Sequence, residues 1–117
     1  MRTKQITTLV VALFTLALIT PAFAGGWTDV IQIKEINQQP SSGVGADLVF
    51  VETTLTSNPS GCSYGSGFYF AVSDEKRKRI FAMLMSAHMT ARSVRIFFTG
   101  QCHSPWGFAE MDGVIVR

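Results

Sequence analysis

The sequence predicts a small, mainly β domain carrying one helix, and three observations predict it. Short runs rich in β-branched and aromatic residues, some alternating apolar with polar, recur between Trp27 and Arg117. A single segment, from Ser73 to about Ala91, is long and opens like a helix. Glycine-, proline- and serine-rich turns punctuate these runs, and no repeat, low-complexity tract or linker divides the chain.

The first expected strand is Trp27 to Ile36, where Ile31 and Ile33 share one face and Gln32 and Lys34 the other. A turn-rich stretch, Asn37 to Gly45, leads to a second strand at Asp47 to Thr56. The loop SNPSGCSYGSG precedes a third, Gly67 to Val72, so that three strands can form a meander. Ser73 is the expected N-cap of the helix, with Asp74 and Glu75 at its positive end. Ser93 to Thr99 alternates as a fourth strand, GQCHSPWG is a loop, and Phe108 to Arg117 is a fifth strand with a break expected at Gly113. The order β-β-β-α-β-β is that of an OB-fold-like, five-stranded Greek-key barrel with its helix between strands three and four.

The first 24 residues read as a leader, not as part of the domain. Arg2 and Lys4 form a basic start, Ile6 to Ile19 an uncharged and mostly apolar run, and Ala22-Phe23-Ala24 a small-residue exit site. A secretory signal peptide over 1–24, cleaved after Ala24, is therefore expected, with one domain over 25–117 and a secreted or periplasmic destination. A membrane-spanning helix would need about 20 apolar residues. With Arg2 and Lys4 removed, eight lysines and arginines face eight aspartates and glutamates. A formally neutral domain lacks the basic surface from which nucleic-acid binding draws its affinity.

Export decides how Cys62 and Cys102 are read. The only two cysteines of an exported chain are expected to pair. Gly61, Gly65 and Gly67 then let the chain turn around a bridged cysteine. A zinc site from Cys62, Cys102, His103 and His88 would lack the local ligand spacing that such sites use. A Cys102–His103 nucleophile fares worse, because neighbours on a strand point to opposite faces. No metal, cofactor or catalytic group is expected, and no hydrolase motif is present.

The helix bears on assembly. At 100° per residue, Ile80, Met83, Leu84, Ala87, His88 and Ala91 share one face, and Phe81, Ala82, Met85 and Met89 extend the apolar arc to about 260°. A helix lying on a barrel needs only a little over 100°. Either the helix sinks deep into its own core, or Phe81, Met85 and Met89 pack on another subunit, where flexible methionines suit irregular gaps. The run Lys76 to Arg79 is a solvated helix end or a basic ring at one mouth of an oligomer.

Trp27-Thr28 at the head of the exported chain, the two cysteines, and SAHMTARSVRIFF followed by GQC carry a family likeness. With the strand order and the long central helix, they resemble the B subunits of bacterial AB5 toxins. The nearest types are the subtilase-cytotoxin and pertussis-like B subunits and small exported proteins related to them. The resemblance implies a homopentamer with helices lining a channel, glycan binding on a barrel face or loop, and an A-chain partner. It assigns no individual residue.

The residues themselves point to a binding module without enzymatic activity. Sugar recognition needs a flat apolar ring ringed by donors and acceptors. Two loops offer that: Ser63, Tyr64 and Ser66 in one, His103, Ser104 and Trp106 in the other. A Cys62–Cys102 bridge would hold both at one end of the barrel. A periplasmic protein that binds or inhibits a protein partner is the alternative.

Overall fold

A computed structural model describes residues 25–38 and 47–117; the expected leader lies outside the described residues. The elements are β1 (Gly26–Trp27), β2 (Ile31–Gln38), β3 (Leu48–Thr53), β4 (Gly67–Ala71), α1 (Glu75–Met89), β5 (Ser93–Cys102) and β6 (Ala109–Val116). The protein is mainly β with one helix among the described residues, as the sequence predicts.

The strands close on themselves. β2, β3 and β4 form the expected antiparallel meander. β5 pairs antiparallel with β2 on one edge and with β6 on the other. β6 then pairs parallel with β4, Phe68 opposite Ala109 and Tyr69 opposite Glu110, which completes a barrel-like ring. Its interior is filled by the inward-facing residues of each strand, among them Val49, Val51, Phe68, Phe70, Ile96 and Met111.

Four local expectations are corrected. The first strand is interrupted, which makes six strands of five. Thr28 is 1% exposed, and its hydroxyl accepts from the Ile96 amide at 3.0 Å while its own amide donates to the Ile96 carbonyl at 2.9 Å. The side chain thus takes a ladder position, and the chain kinks between β1 and β2 as both follow the edge of β5. A shift in register between Ile33 and Glu35 then changes the parity of β2, so that Ile36 follows Ile33 toward the core.

The helix is capped by Asp74 in place of Ser73, the Asp74 carboxylate accepting from the Arg77 amide at 2.9 Å. That hydrogen bond holds the Asp74 carboxyl below its ordinary range; desolvation opposes it, and the charge of Arg77 adds to it. The helix ends at Met89, short of Ala91, which sits in the left-handed region at φ 56°. At Gly113, finally, the expected break is a register shift inside a continuous β6: Gly113 lies opposite Phe97 and Met111 opposite Phe98, so that Asp112 is the extra residue.

The helix also sits rotated from the expected pose. Ile80, Leu84 and Ala87 are buried, Phe81 packs against the core and Met85 is half-buried. Met83, placed on the inner face by periodicity, is exposed, and Met89 is 78% exposed. His88, expected at the edge of that face, is exposed because it lies in the last turn of the helix. The covered arc, from Ala87 through Leu84 to Met85, is turned by about 50°. Asp112 on β6 contributes to that setting, taking Lys76 and Arg77 on its two oxygens, each at 2.9 Å. The basic run is thus largely paired at the helix start, with Lys78 near Glu75 at 3.5 Å. No helix of the described residues is long and apolar enough to cross a membrane.

Candidate functional site

β3 brings the two loops together. Its residues Val49, Phe50 and Val51 are all buried, yet alternation sends only Val49 and Val51 into the barrel. Phe50 lies on the outer face at 6% exposure and must be covered by something else. The cover is the loop after β5, whose His103, Trp106 and Phe108 rings meet Phe50 edge-on at 5.8, 5.3 and 5.0 Å between centroids.

That loop is tied to its neighbour twice and closed on itself once. Cys62 and Cys102 are joined by a disulfide with Cα atoms 5.6 Å apart, and no free cysteine remains. The bond is of the kind retained in oxidising compartments, and it removes both thiols from metal binding and nucleophilic chemistry. The Tyr64 amide donates to the Gly107 carbonyl at 3.1 Å, and the His103 amide to the Phe108 carbonyl at 2.8 Å. Gly107 adopts φ +79°, and a Cβ there would lie 2.0 Å from the Ser63 hydroxyl, so only glycine fits.

The loop before β4 is organised around Asn58, itself buried. Its amide donates to the Gly67 carbonyl at 3.1 Å, and its Oδ1 accepts from the Ser60 hydroxyl at 2.7 Å. Gly67 lacks a side chain for a steric reason, since a Cβ would fall 2.4 Å from the Phe108 ring and 2.6 Å from Tyr64. The two rings therefore lie against bare backbone. They stack at 4.3 Å with 17° between planes.

The outcome is two adjoining stacks over Phe50: Tyr64 on Phe108, and His103 on Trp106 at 5.1 Å. Tyr64 and Trp106 are 38% and 43% exposed, and their connection runs through Phe108 and Phe50 without direct stacking between them. Polar groups border the rings. The Tyr64 hydroxyl donates to Glu52 Oε2, and Ser66 Oγ donates to Glu52 Oε1 at 2.8 Å. Ser63 and Ser104 are exposed, and His103 is half-buried with Nδ1 lacking a hydrogen-bond partner.

The hydrogen bond to Glu52, then burial, raise the Tyr64 hydroxyl above the ordinary tyrosine range; a hydrogen bond with Ser66 acts the other way, and the Glu52 and Glu35 charges add to the rise. Burial, followed by the Glu110 charge, does the same for Tyr69, whose ring lies 5.1 Å from His103. Among the described residues no group of three or more His, Cys, Asp or Glu side chains could hold a metal ion, and no enclosed cavity forms. The site is an open aromatic surface whose loops are tied by the disulfide and the Tyr64–Gly107 hydrogen bond.

Sequence reasoning named one layer of this surface and missed the layer beneath. Phe50, Glu52, Tyr69 and Phe108 fall within expected strands and carry no site expectation. The four consecutive apolar residues Leu48-Val49-Phe50-Val51 are the available signal, because a strand apolar on both faces is covered on both. Comparison with protein-family models, curated proteins and solved structures returned no match.

Proposed function

We propose that the chain is an exported, non-enzymatic binding subunit that recognises glycan through the Tyr64–Phe108 and His103–Trp106 stacks. The observation that carries this reading is the pair of half-exposed rings held on a disulfide-tied frame and bordered by Glu52, Ser63, Ser66 and Ser104. Pyranose rings present apolar C–H faces that lie flat on such rings, while their hydroxyls meet the polar border. A surface tied in this way loses little entropy on binding. The OB-like strand order and the likeness to toxin B subunits support the same reading, with an A-chain partner as its extension.

The test is a glycan array probed with the purified, disulfide-bonded protein and with Trp106→Ala. Binding by the wild type, weakened roughly ten- to a hundredfold in the variant, is the expected result. Stability should fall by about 2 kcal/mol, the scale of its two aromatic pairs with Phe50 and His103. A variant that instead unfolds would place Trp106 in the structural core and end the reading.

Assembly into a homo-oligomer, a pentamer by the toxin-like reading, is proposed through the exposed side of α1. Met89 and Met83, at 78% and 41% exposure, are its uncovered apolar groups, with Met85 and Phe81 at the margin. Met89→Glu should reduce a ring to single chains that keep the far-ultraviolet signature of the folded barrel, because Met89 makes no part of the barrel core, while the melting temperature falls by what association contributed. Sedimentation of the wild type as a single chain at micromolar concentration would overturn the ring.

A further inference from the structure

The border of the aromatic surface is acidic, and its acids are uncompensated. Glu52 on β3 stands directly opposite Glu35 on β2, a like-charge pairing that ordinarily destabilises a sheet. Both Glu52 oxygens are oriented by donors, Tyr64 on one and Ser66 on the other, which fixes the carboxylate at the edge of the Tyr64–Phe108 stack. Glu110, bonded to the Thr99 hydroxyl at 2.7 Å, adds a third negative charge beside Tyr69.

Among the described residues none of these three carboxylates has a lysine or arginine partner. Of the eight lysines and arginines among the described residues, five are engaged elsewhere: Lys76, Arg77 and Lys78 at the helix start, Arg92 on the Arg117 carbonyl, Arg95 on the Thr28 carbonyl. Lys34, Arg79 and Arg117 form no ion pair with the three carboxylates, although Lys34 is the neighbour of Glu35 on β2. His103 is the one basic side chain in the aromatic cluster itself.

We infer that Glu52, backed by Glu35, determines specificity at this site by admitting uncharged carbohydrate and excluding acidic sugars. The inference rests on the glycan reading above. Each Glu52 oxygen keeps an acceptor position beyond its internal hydrogen bond, and ionised carboxylates accept only. Sugar hydroxyls donate into those positions. A ligand carboxylate or sulfate brings no donor and meets two like charges, which at the water-exposed edge of a protein weakens binding roughly tenfold.

Matched neutral, sialylated and sulfated oligosaccharides on one array test this, using wild type, Glu52→Gln and Glu35→Gln. The wild type should bind neutral members about tenfold more tightly than their acidic counterparts, and added salt should narrow the gap. Glu52→Gln keeps an acceptor for Tyr64 and should bring the two classes close to parity. Glu35→Gln makes the same test should Glu52→Gln fail to fold, and should close the gap part of the way. Equal or tighter wild-type binding of acidic members, or a gap unchanged in both variants, overturns the inference. In that case sensitivity to Trp106→Ala would leave the glycan reading standing. Absence of binding to either class overturns both.

Discussion

Replacing Cys62 and Cys102 together by alanine will lower the melting temperature by on the order of 20 °C. The bond spans a sequence separation of 40. In the chain-entropy account, releasing a loop of that size frees the unfolded state by about 4 kcal/mol. One kcal/mol corresponds to several degrees in a domain of this size. Against a typical net stability of ~5–15 kcal/mol, the loss is a large share of the whole. Calorimetry of the double variant, or of the wild type under reductant, checks it. The same change unties the loop that carries Tyr64 from the loop that carries Trp106, so glycan binding should fall even below the new melting point. A shift of only a degree or two would mean that the Tyr64–Gly107 and Asn58 hydrogen bonds suffice to hold the two loops.

Phe50→Ala should cost about 3 kcal/mol, the lower end for a buried phenylalanine truncated to alanine. The site of the loss is what makes the experiment informative. Phe50 is as buried as the barrel core but stands outside it, touching Tyr69, His103, Trp106 and Phe108. The barrel should therefore keep its far-ultraviolet signature while the near-ultraviolet signal of the aromatic cluster collapses and binding disappears. Urea unfolding measures the energy. A loss under about 1 kcal/mol with intact binding would show that the 103–108 loop is held by the disulfide and backbone alone, and that Phe50 is no floor for the site.

The two changes probe one unit, and their effects will not add. Residues sharing a network couple by about 0.5–3 kcal/mol. Once the disulfide is gone, the loop that Phe50 supports is already loosened, so Phe50→Ala should cost less in that background.

What the chain determined locally is the run of elements and their alternation. Ile31 and Ile33 face inward and Gln32 and Lys34 outward because successive strand residues alternate by geometry. The helix begins where acids precede a long run free of glycine and proline, and the only two cysteines pair. All of this depends on a few neighbouring residues or on counting, and it was legible without the fold.

Tertiary structure decided the rest, because those choices are made by contacts distant in sequence. Ser73 and Asp74 are equal as caps by type, and Asp74 prevails where its neighbour Arg77 is held by Asp112 on β6. Thr28 interrupts a plausible strand because Ile96, far along the chain, takes its hydroxyl. Periodicity measured the width of the helix's apolar arc, but the barrel chose its centre and turned Met83 outward. The candidate site is the clearest case. Phe50, Tyr64 and Trp106 meet only because the parallel pairing of β4 with β6 closes the ring and the disulfide folds one loop over the other. Glu52 becomes the polar edge of the surface when the β3–β4 pairing, which sets it opposite Gly67, brings Tyr64 and Ser66 onto its two oxygens.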